Sequence, residues 1–149
     1  MKIEEAIQQT RPFRNGKHKA AVNLIFTANW LQDCIKEALK PYDITIQQYN
    51  VLRVLKGAGK PISTSTIRER LLDKMADTSR MADRLFQKGL VERKECGYDK
   101  RLVDISLSKS GELLLENLDT INPQLDACFN KLTEEEALLL SDLLDKARG

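Results

Sequence analysis

The chain has 149 residues, 42% of them apolar and 31% charged, and its 24 Lys plus Arg against 22 Asp plus Glu leave a formal net charge of +2. That is the composition of one soluble globular domain with a real hydrophobic core, too balanced in charge to declare a polyanionic partner by itself. It has no run of about 18 apolar residues to span a bilayer, and its three scattered cysteines (Cys34, Cys96, Cys128) and single His18 offer neither a disulfide framework nor a zinc cluster.

No basic-then-apolar leader opens the sequence, so the expectation is a cytoplasmic protein without a membrane partner. Charge is distributed unevenly. From Lys60 to Asp104 there are 11 Lys plus Arg and 8 Asp plus Glu, a local +3, which leaves −1 for the remainder. The bias towards an anionic partner is mild and sits in the middle of the chain.

Residues 1 to 16 hold a short helical stretch, IEEAIQQ, followed by the breakers Pro12 and Gly16, and read as an arm. The longest helical pattern runs from Lys17 to Leu39. Ala21, Leu24, Ala28, Leu31, Ile35 and Leu39 form one apolar stripe, and Val22, Phe26, Trp30 and Cys34 form a second on another face. A helix that is apolar on two faces needs two partners. One face can close this chain's own core, and the other meets a second copy or lines a pocket; burial of both within a compact monomer is the alternative.

After Pro41 the chain restarts at ITIQQYNVLRVL. Thr45 with Gln48 is a capping box, and Ile44 with Tyr49 can form the accompanying hydrophobic staple. The spacing predicts a helix from Ile46 to about Lys56 with Val51, Leu52 and Leu55 inward, ended by Gly57, Gly59 and Pro61. Ser63 then opens a short helix, TSTIRERLL, with Ile67 and Leu71 inward. The hydroxyls of its first turn, Thr64 and Ser65 among them, can cap the helix and can also meet a phosphate.

Asp77 is the N-cap of the next helix. Met81, Ala82, Leu85 and Phe86 share its buried face, leaving Ser79, Arg80, Asp83, Arg84 and Gln87 outside. Arg80 near the positive end of the helix dipole, with Arg84 one turn on, is unfavourable by a few tenths of a kcal/mol. A nearby polyanion would reverse both penalties; a solvated network of Asp77 and Asp83 about Arg80 is the alternative.

Val91, Arg93 and Glu95 alternate with Leu90, Glu92 and Lys94. Beyond Gly97, Val103, Ile105 and Leu107 alternate with Leu102, Asp104 and Ser106, which is the pattern of a β-hairpin with one face on the core. Its tip carries Tyr98, Asp99, Lys100 and Arg101. The C-terminal third is helical: Ser108 caps GELLLENLDTIN, Pro123 introduces a kink or short break, LDACFNKL continues, and a second capping box, Thr133 with Glu136, opens EEEALLLSDLLDKAR.

Taken in order, these pieces resemble the MarR family of bacterial transcription regulators. ITIQQYNVL is similar to that family's Leu-Thr-x-x-Gln-Tyr helix start, TSRMADRLFQKGLVER to its recognition helix and first wing strand, DKR to its wing Asp-x-Arg, and LSKSG to its Leu-Thr-x-x-Gly. The resemblance implies one MarR-like domain over 1–149, mainly α with a small β-hairpin wing (α+β). A winged helix-turn-helix lobe would span 44–107, with a helical dimerisation region in 1–40 and 108–149.

It further implies a homodimer reading a pseudo-palindromic operator in double-stranded DNA, acting as a repressor and released by a small aromatic or amphipathic effector. The expected DNA contacts are Thr64, Ser65, Thr78, Ser79, Arg80, Arg84, Lys100 and Arg101. Asp99, two residues before Arg101 on the same strand face, would steady that guanidinium. Phe26, Trp30 and Tyr49 are the candidates for an effector pocket, with plain core as their alternative.

Cys34 lies well inside the long helix rather than near its start, unlike the cysteine of the family's peroxide sensors, and no metal or cofactor is expected. The competing reading is a winged-helix protein-interaction module without a specific operator. With one histidine and no glycine-rich phosphate loop, an enzyme lacks its parts.

Overall fold

The computed structural model describes residues 1–95, 97 and 102–149. A short α1 (Ile3–Ala6) precedes α2 (Gly16–Leu39), whose first turn is capped by the Asn15 carboxamide oxygen accepting from the His18 backbone N–H at 2.9 Å. A 3-10 turn at Lys40–Tyr42 leads to α3 (Ile46–Ala58). The expected capping box is formed there: the Gln48 N–H donates to Thr45 Oγ1 and the Thr45 N–H donates to Gln48 Oε1, each at 3.1 Å. Such a cap contributes about 1 kcal/mol. Gly59 ends α3 at φ +63°, a left-handed conformation that glycine adopts without a steric penalty.

β1 (Ile62–Ser63) comes next, then α4 (Thr64–Arg70), α5 (Thr78–Gln87), β2 (Val91–Glu95) and β3 (Val103–Leu107). The expected hairpin is present as β2 and β3, antiparallel from Val91 opposite Leu107 to Glu95 opposite Val103. β1 is an addition to it. Two residues are too few to show period-two alternation, yet Ile62 and Ser63 pair with Ile105 and Asp104 and make a three-stranded sheet in the order β1-β3-β2. β1 also brings the start of α4 against the strand that leads out of the wing.

One apolar cluster unites the elements. Leu39 of α2, Val51 and Leu52 of α3, Ile67 of α4, Leu85 of α5, Ile105 of β3 and Leu115 and Leu118 of α6 (Lys109–Asp119) are all but inaccessible. At about 25 cal/mol per Å² of apolar area removed from water, such side chains hold α5 and the sheet in a defined relation.

A hydrogen-bonded knot reinforces that relation. Ser108 Oγ donates to the Gly89 carbonyl at 2.6 Å and accepts from the Gly111 N–H at 3.0 Å, while the Ser108 N–H donates to the Leu90 carbonyl at 3.1 Å. Gly89 sits at φ +72°, and a Cβ on Gly111 would lie 2.1 Å from the Leu90 carbonyl oxygen. The turn between α5 and β2 is thereby clasped to the start of α6.

The last third departs from expectation in one respect. The break precedes Pro123, at Thr120 and Ile121, and Pro123 lies in the first turn of α7 (Asn122–Ala127), where its missing N–H removes no helical bond. LDACFNKL is helical only as far as Ala127. The Thr133–Glu136 capping box then opens α8 (Glu134–Arg148). α2 buries only Leu39 and leaves Leu24, Ile25, Phe26 and Trp30 substantially exposed. α8 buries nothing, with Leu138, Leu139, Leu140 and Leu143 facing out. Neither helix is long and apolar enough to cross a membrane, nor is any other among the described residues.

Candidate nucleic-acid interface

Two helix starts and the sheet converge on one groove. At the head of α4, Ser63 Oγ accepts from the Thr66 N–H at 3.1 Å and exchanges a hydroxyl hydrogen bond with Thr66 at 3.0 Å. Ser63 is therefore committed to the cap, Thr64 is half-buried and Ser65 is exposed. At the head of α5, Asp77 Oδ1 accepts from the Arg80 N–H at 3.0 Å. Between these two ends and β3 lies a groove of about 490 Å³, lined by Thr64, Ser65, Ser79, Asp83 and Arg93 against an apolar wall that includes Val103.

Of the expected contact residues, Ser65, Ser79, Arg80 and Arg84 lie on the exposed surface of α4 and α5. Thr78 does not. It is 5% exposed and its Oγ1 is buried without a hydrogen-bond partner among the described residues, because its position in the first turn of α5 turns it towards the core beside Ala82. Asp99, Lys100 and Arg101 lie outside the described residues.

The surface network expected as an alternative about Arg80 is not the arrangement found. The Asp77 side chain caps the helix through the Arg80 backbone, and Asp83 pairs with the Arg93 guanidinium from β2. Arg93 also lies over the Phe86 ring, its Cζ 4.4 Å from the ring centroid. Phe86, expected on the buried face, is 46% exposed and is covered from outside by that guanidinium. Arg93 is the residue to which sequence reasoning assigned no role. The available signal was its period-two relation to Val91, which puts a charge on the core-facing side of the strand.

The three aromatics expected to line an effector pocket have different neighbours within one chain. Trp30 packs edge-to-face on Phe129, with ring centroids 6.1 Å apart. Tyr49 packs against the core and carries the Arg53 guanidinium 5.7 Å from its ring centroid, and Phe26 is 43% exposed on α2. A second recess, about 730 Å³, lies instead between the end of α2 and the start of α3, and its lining is polar, with Lys36, Lys40, Asp43, Gln47 and Lys88 prominent. A hydrogen bond to Cys128, then burial, pushes the Cys34 thiol up from its ordinary range, which disfavours the thiolate. Among the described residues no cluster of His, Cys, Asp and Glu is assembled for a metal.

Residues 42–102 match the MarR family. The HTH-type transcriptional repressor MdtR of Bacillus subtilis (strain 168) is 32% identical over 117 residues, covering 78% of this chain and 75% of that protein. The multiple antibiotic resistance protein MarR of Salmonella typhimurium is 32% identical over 127 residues, 83% of this chain and 87% of its own length. Among solved structures, a MarR variant from E. coli complexed with operator DNA superposes with a TM-score of 0.82 at 27% identity, covering 92% of this chain and 99% of that one.

Proposed function

This chain belongs to the MarR family of winged-helix, DNA-binding transcriptional regulators, and from that premise we propose that it is a homodimeric repressor that reads a pseudo-palindromic operator. The observation that carries the reading is the exposed Ser79, Arg80 and Arg84 face of α5, set beside the hydroxyl-rich start of α4 across an open groove. Arginine reads guanine edges in the major groove with a paired hydrogen bond, and helix N-termini and hydroxyls hold phosphates in register. The MarR variant that this fold matches was solved with operator DNA.

The lobe over 44–107 would contact DNA, and the helices of 1–40 and 108–149 would join two copies. Support for the second part is the apolar surface that a single chain leaves uncovered, Leu24, Phe26 and Trp30 on α2 and Leu138, Leu139 and Leu143 on α8. Large apolar side chains left exposed in number mark interaction surfaces where they form a patch. An aromatic or amphipathic effector would be received where Phe26 and Trp30 meet the second copy, since one chain alone does not enclose them.

Selection of bound duplexes from a random pool tests the reading. A pseudo-palindrome with half-sites about one helical turn, ~34 Å, apart is the expected product. An unenriched pool at moderate salt, with binding no tighter than to unrelated duplex, would overturn it in favour of a protein-interaction module.

A further inference from the structure

The recognition face of α5 has an electrostatic flaw that another element corrects. Asp83 lies on the helix between Arg80 and Arg84, and its side chain is 61% exposed. A carboxylate so placed would oppose the phosphates that the arginines attract, since like charges brought together across an interface are costly. The structure supplies a counter-charge from outside the helix. Arg93 stands on β2 opposite Ile105 of β3, which is 2% exposed, and in register with Val91, also 2% exposed.

That register turns Arg93 to the core side of the sheet, where a charge is unfavourable unless it is paired. Arg93 finds its partners on α5: a hydrogen-bonded ion pair to Asp83 and the face of Phe86, three residues further along the same side of the helix. The guanidinium is suited to both at once, being planar, permanently charged and able to stack while its edge donates.

We propose that Arg93 is a positioning residue for DNA recognition, cancelling the Asp83 charge and holding that carboxylate against the wing strand so that α5 presents a net positive face to the groove. The role is exerted through Asp83 and Phe86, not through a contact of Arg93 with DNA. It rests on the assignment of α5 as the DNA-reading helix.

The test uses the full-length protein and the duplex recovered by selection, with fluorescence anisotropy titrations at several salt concentrations and a thermal melt of each variant. Arg93→Ala should raise Kd about tenfold. Arg93→Lys, which keeps the charge, should stay within about threefold of wild type. Asp83→Asn alone should bind as tightly as wild type or more so. The decisive variant is Arg93→Ala with Asp83→Asn: removal of the exposed acid should return Kd to within about threefold of wild type and restore the wild-type slope of log K against log salt.

A double variant that stays weak with a slope lower by about 0.9 would show that Arg93 contacts a phosphate directly. One that stays weak with the wild-type slope would show a merely structural tether. Either result overturns the proposal, as does an Arg93→Ala protein that binds normally. If wild type fails to select any duplex, it is the DNA-reading assignment that fails. Wild-type binding with an unrescued double variant refutes only the role given to Arg93.

Discussion

The winged lobe and the helical arms are built from similar proportions of apolar residues but use them in opposite ways. In the lobe, Val51, Leu52, Ile67, Leu85 and Ile105 come from four different elements and close on one another until each is all but inaccessible. In the arms, Leu24, Phe26 and Trp30 of α2 and Leu138, Leu139 and Leu143 of α8 keep roughly 40 to 60% of their surface exposed. The lobe therefore buries most of its apolar surface within one chain, whereas much of that on α2 and α8 is left open. An isolated helix of 15 residues is marginal in water, so α8, with no buried residue, is the part of the molecule that would gain most from the proposed second copy.

Perturbing the lobe core should have the largest effect. Leu52→Ala leaves a cavity among fully buried neighbours and should cost about 4 kcal/mol of unfolding free energy by denaturant titration. Gly111→Ala comes next. A Cβ 2.1 Å from the Leu90 carbonyl oxygen forces the α6 start off the turn between α5 and β2, and should cost roughly 3 kcal/mol, the upper end of overpacking effects.

On the arms, Leu139→Glu combined with Leu143→Glu should leave the lobe folded by near-native circular dichroism. The same pair should weaken self-association by roughly 2 kcal/mol, about thirtyfold, in sedimentation equilibrium. A monomeric wild type at micromolar concentration would remove the basis of that contrast.

The smallest effect concerns the N-terminal arm. Hydrogen bonding from Lys19 holds the Glu4 carboxyl below its ordinary 4.5. Because the folded value is depressed, the stabilisation is present above about pH 4.5 and is lost as the pH falls through the folded value. The difference in Tm between wild type and Glu4→Gln should accordingly be small at neutral pH and vanish in acid. A difference that grows on acidification would contradict the pairing.

Much of the lobe was legible because its signals are local. The Thr45–Gln48 box, the Asp77 cap and the alternation about Gly97 each lie within a few residues, and each is where the pattern put it. β1 was not legible, since two residues carry no period and exist as a strand only because β3 is there to pair with them. Thr78 was misread for a related reason. Its place in the first turn of α5 says that it can cap or donate, but which way it faces depends on how that helix seats against α3 and the sheet.

By itself the sequence determined the kinds and order of the helices, the hairpin, the family and the arginines of α5, because caps, periodicity and turn residues act through neighbours in the chain. Only the tertiary structure decided that Asp83 is matched by Arg93 from ten residues away, that Phe86 is capped by a guanidinium, and that Trp30 meets Phe129 while Phe26 stays open. Those pairings depend on the angle at which a strand crosses a helix and on which faces a closed core leaves uncovered, and no local pattern encodes either.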